Sequence, residues 1–168
     1  MAEDFEAGRD AEPPIDTLEA YWSARGWPAE RNGDDEIVAS VTGSWSQYEF
    51  RAIWRDEDRV LQFLAFPDVR VAADRRAAIH ETLGLINEQL WIGHFELWSK
   101  GGLIVFRHAA LIDGSEGPVL TAEGAETLSD AALDECERFY PVFQFVLWGG
   151  KSPAEAIAAA LIETHGEA

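Results

Sequence analysis

Apolar positions along the chain change their spacing several times, and each change marks an element. Ile15, Leu18, Ala20 and Trp22 make a helical stripe. Asp16 is placed to cap it, with Glu19 three residues on as a capping box, and Gly26 ends it. Trp27 and Pro28 then lead into a polar loop over 29–35. Ile37, Ala39 and Val41 alternate with polar or small residues. From Ser46 to Arg55, Tyr48, Phe50, Ala52 and Trp54 face one way while Glu49, Arg51 and Arg55 face the other. That period of two predicts a half-buried antiparallel strand. Residues 59–66 are apolar on both faces, with Val60, Leu64 and Phe66 opposite Leu61, Phe63 and Ala65, so this strand is predicted at the centre of the sheet. Pro67 ends it.

A second helix starts near Asp74 and carries Ile79, Leu83, Ile86 and Leu90 on one face, up to Gly93. Two strands, 94–99 and 103–112, flank the turn residues Lys100-Gly101-Gly102. Residues 113–124 read as a loop. A helix over 129–148 contains Pro141, where a kink is predicted. Ser152, Pro153 and Glu155 start a last helix that ends near His165. The expected fold is α+β, in the order α-β-β-β-α-β-β-α-α, with five antiparallel strands and helices mainly on one face. Residues 14–168 make one domain behind an acidic, disordered arm over 1–13.

Charge narrows the choice of partner. The net charge is −18. Residues 1–36 carry −8, residues 37–112 carry −1, and residues 113–168 carry −9. Phosphate recognition needs basic patches, so this distribution argues against nucleic acid and against anionic membranes. The N-terminus has no basic start and no apolar core of the kind a signal peptide needs. The longest apolar run, 139–150, falls short of the ~20 residues that span a bilayer. A cytoplasmic location is the expectation.

Candidate chemistry is sparse. Gly149-Gly150-Lys151-Ser152 echoes a phosphate-binding loop, but the first glycine that motif requires would fall at Phe145, inside a helix. A helix break followed by a cap explains the same residues. His94 and His108 fall on paired strands, and a pocket near them is the alternative that would suit a small enzyme or a small-ligand sensor. They lack the further ligands and the spacing of a metal site. Cys136 stands between Glu135 and Glu137, which disfavour a thiolate, and shares a stripe with Leu133, Tyr140, Phe143 and Leu147. It reads as a core thiol rather than a nucleophile. Asp56, Glu57 and Asp58 lack the calcium-loop pattern that would have to follow them. Neither a catalytic residue, a metal ligand nor a cofactor site is expected.

Apolar surface is the stronger signal. Between Phe139 and Trp148 only Gln144 is clearly polar, so this helix must be covered on every side, by its own chain or by a second copy. Trp45 and Trp98 are candidates for an open aromatic sheet face. The candidate protein-binding or dimer surface is Trp45, Trp98, Phe139, Val142, Phe145, Val146 and Trp148.

The strings Gly93–Trp98 (GHFELW), Gly102–Ala109 (GLIVFRHA) and Glu137–Ile157 (ERFYPVFQFVLWGGKSPAEAI) resemble the YbjN family, and the element order is similar across about residues 15–165. That family is described as bacterial sensory-transduction regulators. Its fold is similar to that of type III secretion chaperones, which often dimerise. The resemblance implies a non-enzymatic module that binds an unidentified protein partner, chaperone-like or as a regulatory adaptor, in the form of a homodimer. It carries no catalytic residues. The second terminal helix, after Gly149-Gly150, departs from the simplest chaperone pattern.

Overall fold

The computed structural model describes residues 12–112 and 119–165, with side chains to residue 160. The acidic arm expected over 1–13 therefore lies, up to residue 11, outside the described residues. So does 113–118 of the expected loop. The elements are α1 (Pro14–Ala24), β1 (Ala29–Arg31), β2 (Glu36–Thr42), β3 (Gln47–Arg55), β4 (Val60–Phe66), a 3-10 turn (Ala73–Arg75) leading into α2 (Arg76–Asn87), β5 (His94–Leu97), β6 (Ile104–Leu111), α3 (Ala122–Leu147) and α4 (Pro153–His165). All strands form one antiparallel sheet in the order β1-β2-β3-β4-β6-β5. The helices pack on one face of it.

The sheet has six strands, not the five expected from the sequence. The extra one, β1, lies in the stretch read as a polar loop. Its Ala-Glu-Arg shows no apolar alternation, because it is an edge strand held by backbone bonds. Ala29, Glu30 and Arg31 pair with Ala39, Val38 and Ile37. The Ser40 amide donates to the Pro28 carbonyl and the Asn32 amide to the Glu36 carbonyl at the ends of this ladder.

Two helix starts also differ from the sequence reading. α1 begins at Pro14, whose missing N–H is no loss at a helix start, and the expected Asp16–Glu19 capping box does not form. Arg31 on β1 takes both carboxylates instead, with Asp16 at 2.6 Å and Glu19 at 3.7 Å. α3 begins at Ala122, seven residues before the expected start, with the Thr121 hydroxyl accepting from the Gly124 amide at 2.9 Å. Ser129, expected near the first turn, lies inside the helix and fully buried. Its hydroxyl accepts from Trp22 Nε1 at 2.9 Å and donates to the Ala125 carbonyl at 2.7 Å. The start of α4 does match: the Ser152 amide donates to Glu155 Oε2 at 3.2 Å, and the Glu155 amide to Ser152 Oγ at 3.3 Å.

The core lies between the sheet and the helices. Tyr48, Phe50, Ala52 and Trp54 of β3 all point into it, as their alternation predicts. Trp22 meets Phe63 edge-on, and Phe95 meets Phe106, Phe139 and Phe143 with ring centroids 5.4–5.9 Å apart. β4 is buried on both faces, in keeping with its inner place in the sheet.

Candidate functional site

The face of the sheet turned away from the helices is the candidate site. The pleat that sends Phe50 and Phe63 inward sends Ile53, Leu64 and Phe66 outward. On β6 the same alternation turns out Val105 and Arg107, and on β5 it turns out His94 and Glu96, followed by Trp98. Leu64, Phe66 and Val105 are buried beneath the partly buried Ile53, Trp98 and Leu103, in a cluster separate from the main core. Phe66 and Trp98 stack edge-on at 5.5 Å. Every described helix packs on the other side, so no described element covers this cluster.

A polar network fixes Trp98 in place. Glu96 Oε2 accepts from the indole Nε1 at 3.0 Å, and Glu96 Oε1 meets His94 Nε2 at 2.7 Å and Arg107 at 3.4 Å. With its amide oxygen turned toward Arg107, Gln62 accepts from that guanidinium at 2.9 and 3.0 Å. Burial pushes the Glu96 carboxyl up. The bonds from His94 and Trp98 and the Arg107 charge outweigh it and hold the group below the ordinary carboxylate range.

Among the described residues, two troughs run along this face. One, about 580 Å³, is lined by Pro28, Glu30, Val38, Ser40 and Glu49. The other, about 250 Å³, reaches from Ser40 and Glu49 past Gln47 to Phe66, Asp68, Arg70 and Leu103. The outer edge of β5 is closed locally. The Asn87 side-chain amide accepts from the Phe95 N–H at 2.8 Å and donates to the Phe95 carbonyl at 3.1 Å, occupying groups that a further strand would need.

The seven candidates from the sequence are scattered rather than brought together. Trp98 lies on the outer face, half-buried against Phe66. Trp45 sits at the tip of the β2–β3 connection, 50% exposed, and Trp148 ends α3, 66% exposed. Phe145 is half-buried, with the Lys151 ammonium 5.8 Å from its ring. Phe139, Val142 and Val146 are corrected. All three lie in the main core and offer a partner no surface. The sheet covers one side of α3, while α2 and α4 cover others. Arg75, at the start of α2, also donates to the Val146 carbonyl. The chain itself therefore covers most of the oily segment. Trp91, fully exposed between α2 and β5, was passed over because the sequence places it inside a helix running to Gly93, off the face of Leu90, whereas α2 ends at Asn87.

Groups considered for chemistry are held apart or sealed. His94 stands opposite Arg107 in the register, which leaves His108 on the opposite pleat, with its ring on the helix side of the sheet. Neither imidazole lines either trough. Burial, and then the nearby His94, lower the His108 pKa. The Cys136 thiol is fully buried. Burial, with the Glu137 and Glu135 charges beside it, pushes it far above the ordinary thiol range, so it is a neutral core group at neutral pH. Among the described residues, no three or more His, Cys, Asp or Glu side chains cluster as a metal site would require, and no helix is long and apolar enough to cross a membrane.

Comparison with known proteins bears on this arrangement. The curated proteins contain no match. Among solved structures, the chain is similar to YbjN from E. coli, at 12% identity and a TM-score of 0.51, over 76% of this chain and 92% of that one. It has a weaker likeness to the ExsC-ExsE complex, at 18% identity and a TM-score of 0.46, over 74% and 88%. The first of these shows a shared fold. The model of the YbjN family, described as "Putative bacterial sensory transduction regulator", matches residues 14–145. That match runs from the first residue of α1, through the whole sheet, into the apolar stretch of α3, and the chain belongs to the YbjN family.

Proposed function

We propose that the chain is a non-enzymatic protein-binding module, chaperone-like or a regulatory adaptor, that works as a homodimer. The observation that carries this reading is the outer face of the sheet, where an apolar cluster around Phe66 and Trp98 has no described helix over it. A sheet normally buries its apolar face against another layer; here, among the described residues, only the half-buried Ile53, Trp98 and Leu103 cover the cluster, and they are the apolar surface left for a partner. The family's description as a regulator fits a protein that acts through binding. So do the sealed Cys136 thiol and the two histidines on opposite faces. The exposed indoles of Trp45, Trp91 and Trp148 support self-association, since Trp is enriched where proteins meet.

Two measurements test the two halves. Light scattering on the pure protein at micromolar concentration should give twice the 18.6 kDa chain mass. A particle of 18.6 kDa throughout removes the homodimer. For the binding face, mild crosslinking and recovery from the native host should retain specific proteins on the wild type that a Leu103→Glu variant loses. Equal retention by the two would move the surface elsewhere.

A further inference from the structure

The two troughs share Ser40 and Glu49, so they lie end to end and together cross the strands from Pro28, beside β1, to Leu103, beside β6. In the sheet order, that path covers four strand spacings, or ~19 Å. An extended segment of about six residues spans such a distance. The floor is apolar or small: Val38, Ser40, Phe66 and Leu103. Among the described residues, the charges that line it are three carboxylates, Glu30, Glu49 and Asp68, against one guanidinium, Arg70, and all four residues are exposed.

These carboxylates have little neutralisation of their own. Among the described residues, Glu49 reaches only Arg51, at 3.6 Å, and Arg51 also serves Glu36 at 3.4 Å. Glu30 and Asp68 enter no ion pair among the described residues. The whole chain carries −18, so its long-range field adds to the local one. A second copy of this chain brings the same −18 to the trough and is disfavoured there. An anionic membrane is repelled in the same way. A segment with apolar residues for the floor and Lys or Arg for the rim fits both features.

Resting on the proposed binding role of the outer face, we infer that the trough takes a basic, apolar peptide segment of a partner protein, laid across the strands from Pro28 to Leu103. It is read by its side chains. Strand addition at β5 is not the mode, because Asn87 occupies that edge.

The test uses the intact chain and three synthetic peptides matched in length and apolar content, one carrying Arg and Lys, one Asn and Gln, one Glu. Binding is read from backbone amide shifts. The basic peptide should move the amides of Val38, Ser40 and Glu49 and saturate. Its affinity should fall steeply with added salt, and by roughly fivefold in a Glu30→Gln, Glu49→Gln double variant. Equal binding of the neutral or acidic peptide at the same amides would overturn the basic partner and leave the binding face standing. If the same amides move with protein concentration alone, the trough belongs to a second copy. That overturns the inference and leaves self-association. If no peptide moves them, the inference and the binding role of this face fail together.

Discussion

Gly43 shows how closely the β2–β3 connection is tied to α3. The Ser44 amide donates to Glu137 Oε1 at 2.6 Å, which draws the helix carboxylate over the turn. A Cβ on Gly43 would overlap that carboxylate and the Tyr48 ring. Any side chain there must push Glu137 off the Ser44 amide. Gly43→Ala should therefore lower stability by ~1–3 kcal/mol, seen as a lower urea midpoint at unchanged slope. Gly84 is the internal control. It is exposed in α2, and a Cβ there meets nothing within 4 Å. Gly84→Ala should raise stability by about 0.5–1 kcal/mol, because alanine loses less chain entropy in a helix. Equal midpoints for the two variants would mean that the turn is not clamped. Gly93 is constrained differently. Its φ is +67°, and a Cβ would come within 2.6 Å of the Phe106 ring and 2.8 Å of the Arg107 carbonyl.

Among the elements, β5 is held by side-chain as well as backbone bonds. It is four residues long and lies at the edge, held by β6 on one side and by the Asn87 amide on the other. Its outward residues carry the Glu96 network. The folded state holds the Glu96 carboxyl below its ordinary 4.5. A depressed carboxyl stabilises the fold fully above its unfolded value, and that stabilisation fades as pH falls through 4.5 toward the lower folded value. Other carboxylates titrate in the same range, so the informative quantity is the stability difference between wild type and Glu96→Gln. That difference should shrink as pH is lowered from about 6 to about 3, and the Trp98 indole N–H resonance should move with it. A difference that stays constant would show that the ionised form of Glu96 adds nothing to the face.

At the scale of the whole molecule, the described residues form one large core and one small cluster on the far side of the sheet. They should respond differently to truncation. Phe143 is fully buried against Phe95, and Phe143→Ala should cost about 3–5 kcal/mol, as a cavity in a closed core does. Phe66 is 9% exposed and stacks edge-on with the partly buried Trp98, which has room to settle into the space. Phe66→Ala should cost less than half as much, with urea unfolding as the measure. The reverse order would make the outer face a second core, closed to partners.

The sequence alone determined the elements that bury side chains with a regular period. Alternation fixed which face of β3 looks inward, and two-sided burial identified β4 as an inner strand. The Ser152–Glu155 start was legible because a cap is a local chemical pattern. Cys136 was legible as a core thiol from its stripe and its acidic neighbours. Strand β1 was not legible, since an edge strand can exist on backbone bonds that leave no mark on residue type. The true start of α3 was hidden because its first turns bury only Ala125 and Ser129. Tertiary packing also decided what covers the oily part of α3. A sequence states that Phe139, Val142 and Val146 must leave water, but only the placement of α2 and α4 shows that this chain supplies the cover. The troughs are likewise a product of the fold, because their lining residues come from separate strands and loops that only the sheet order brings side by side.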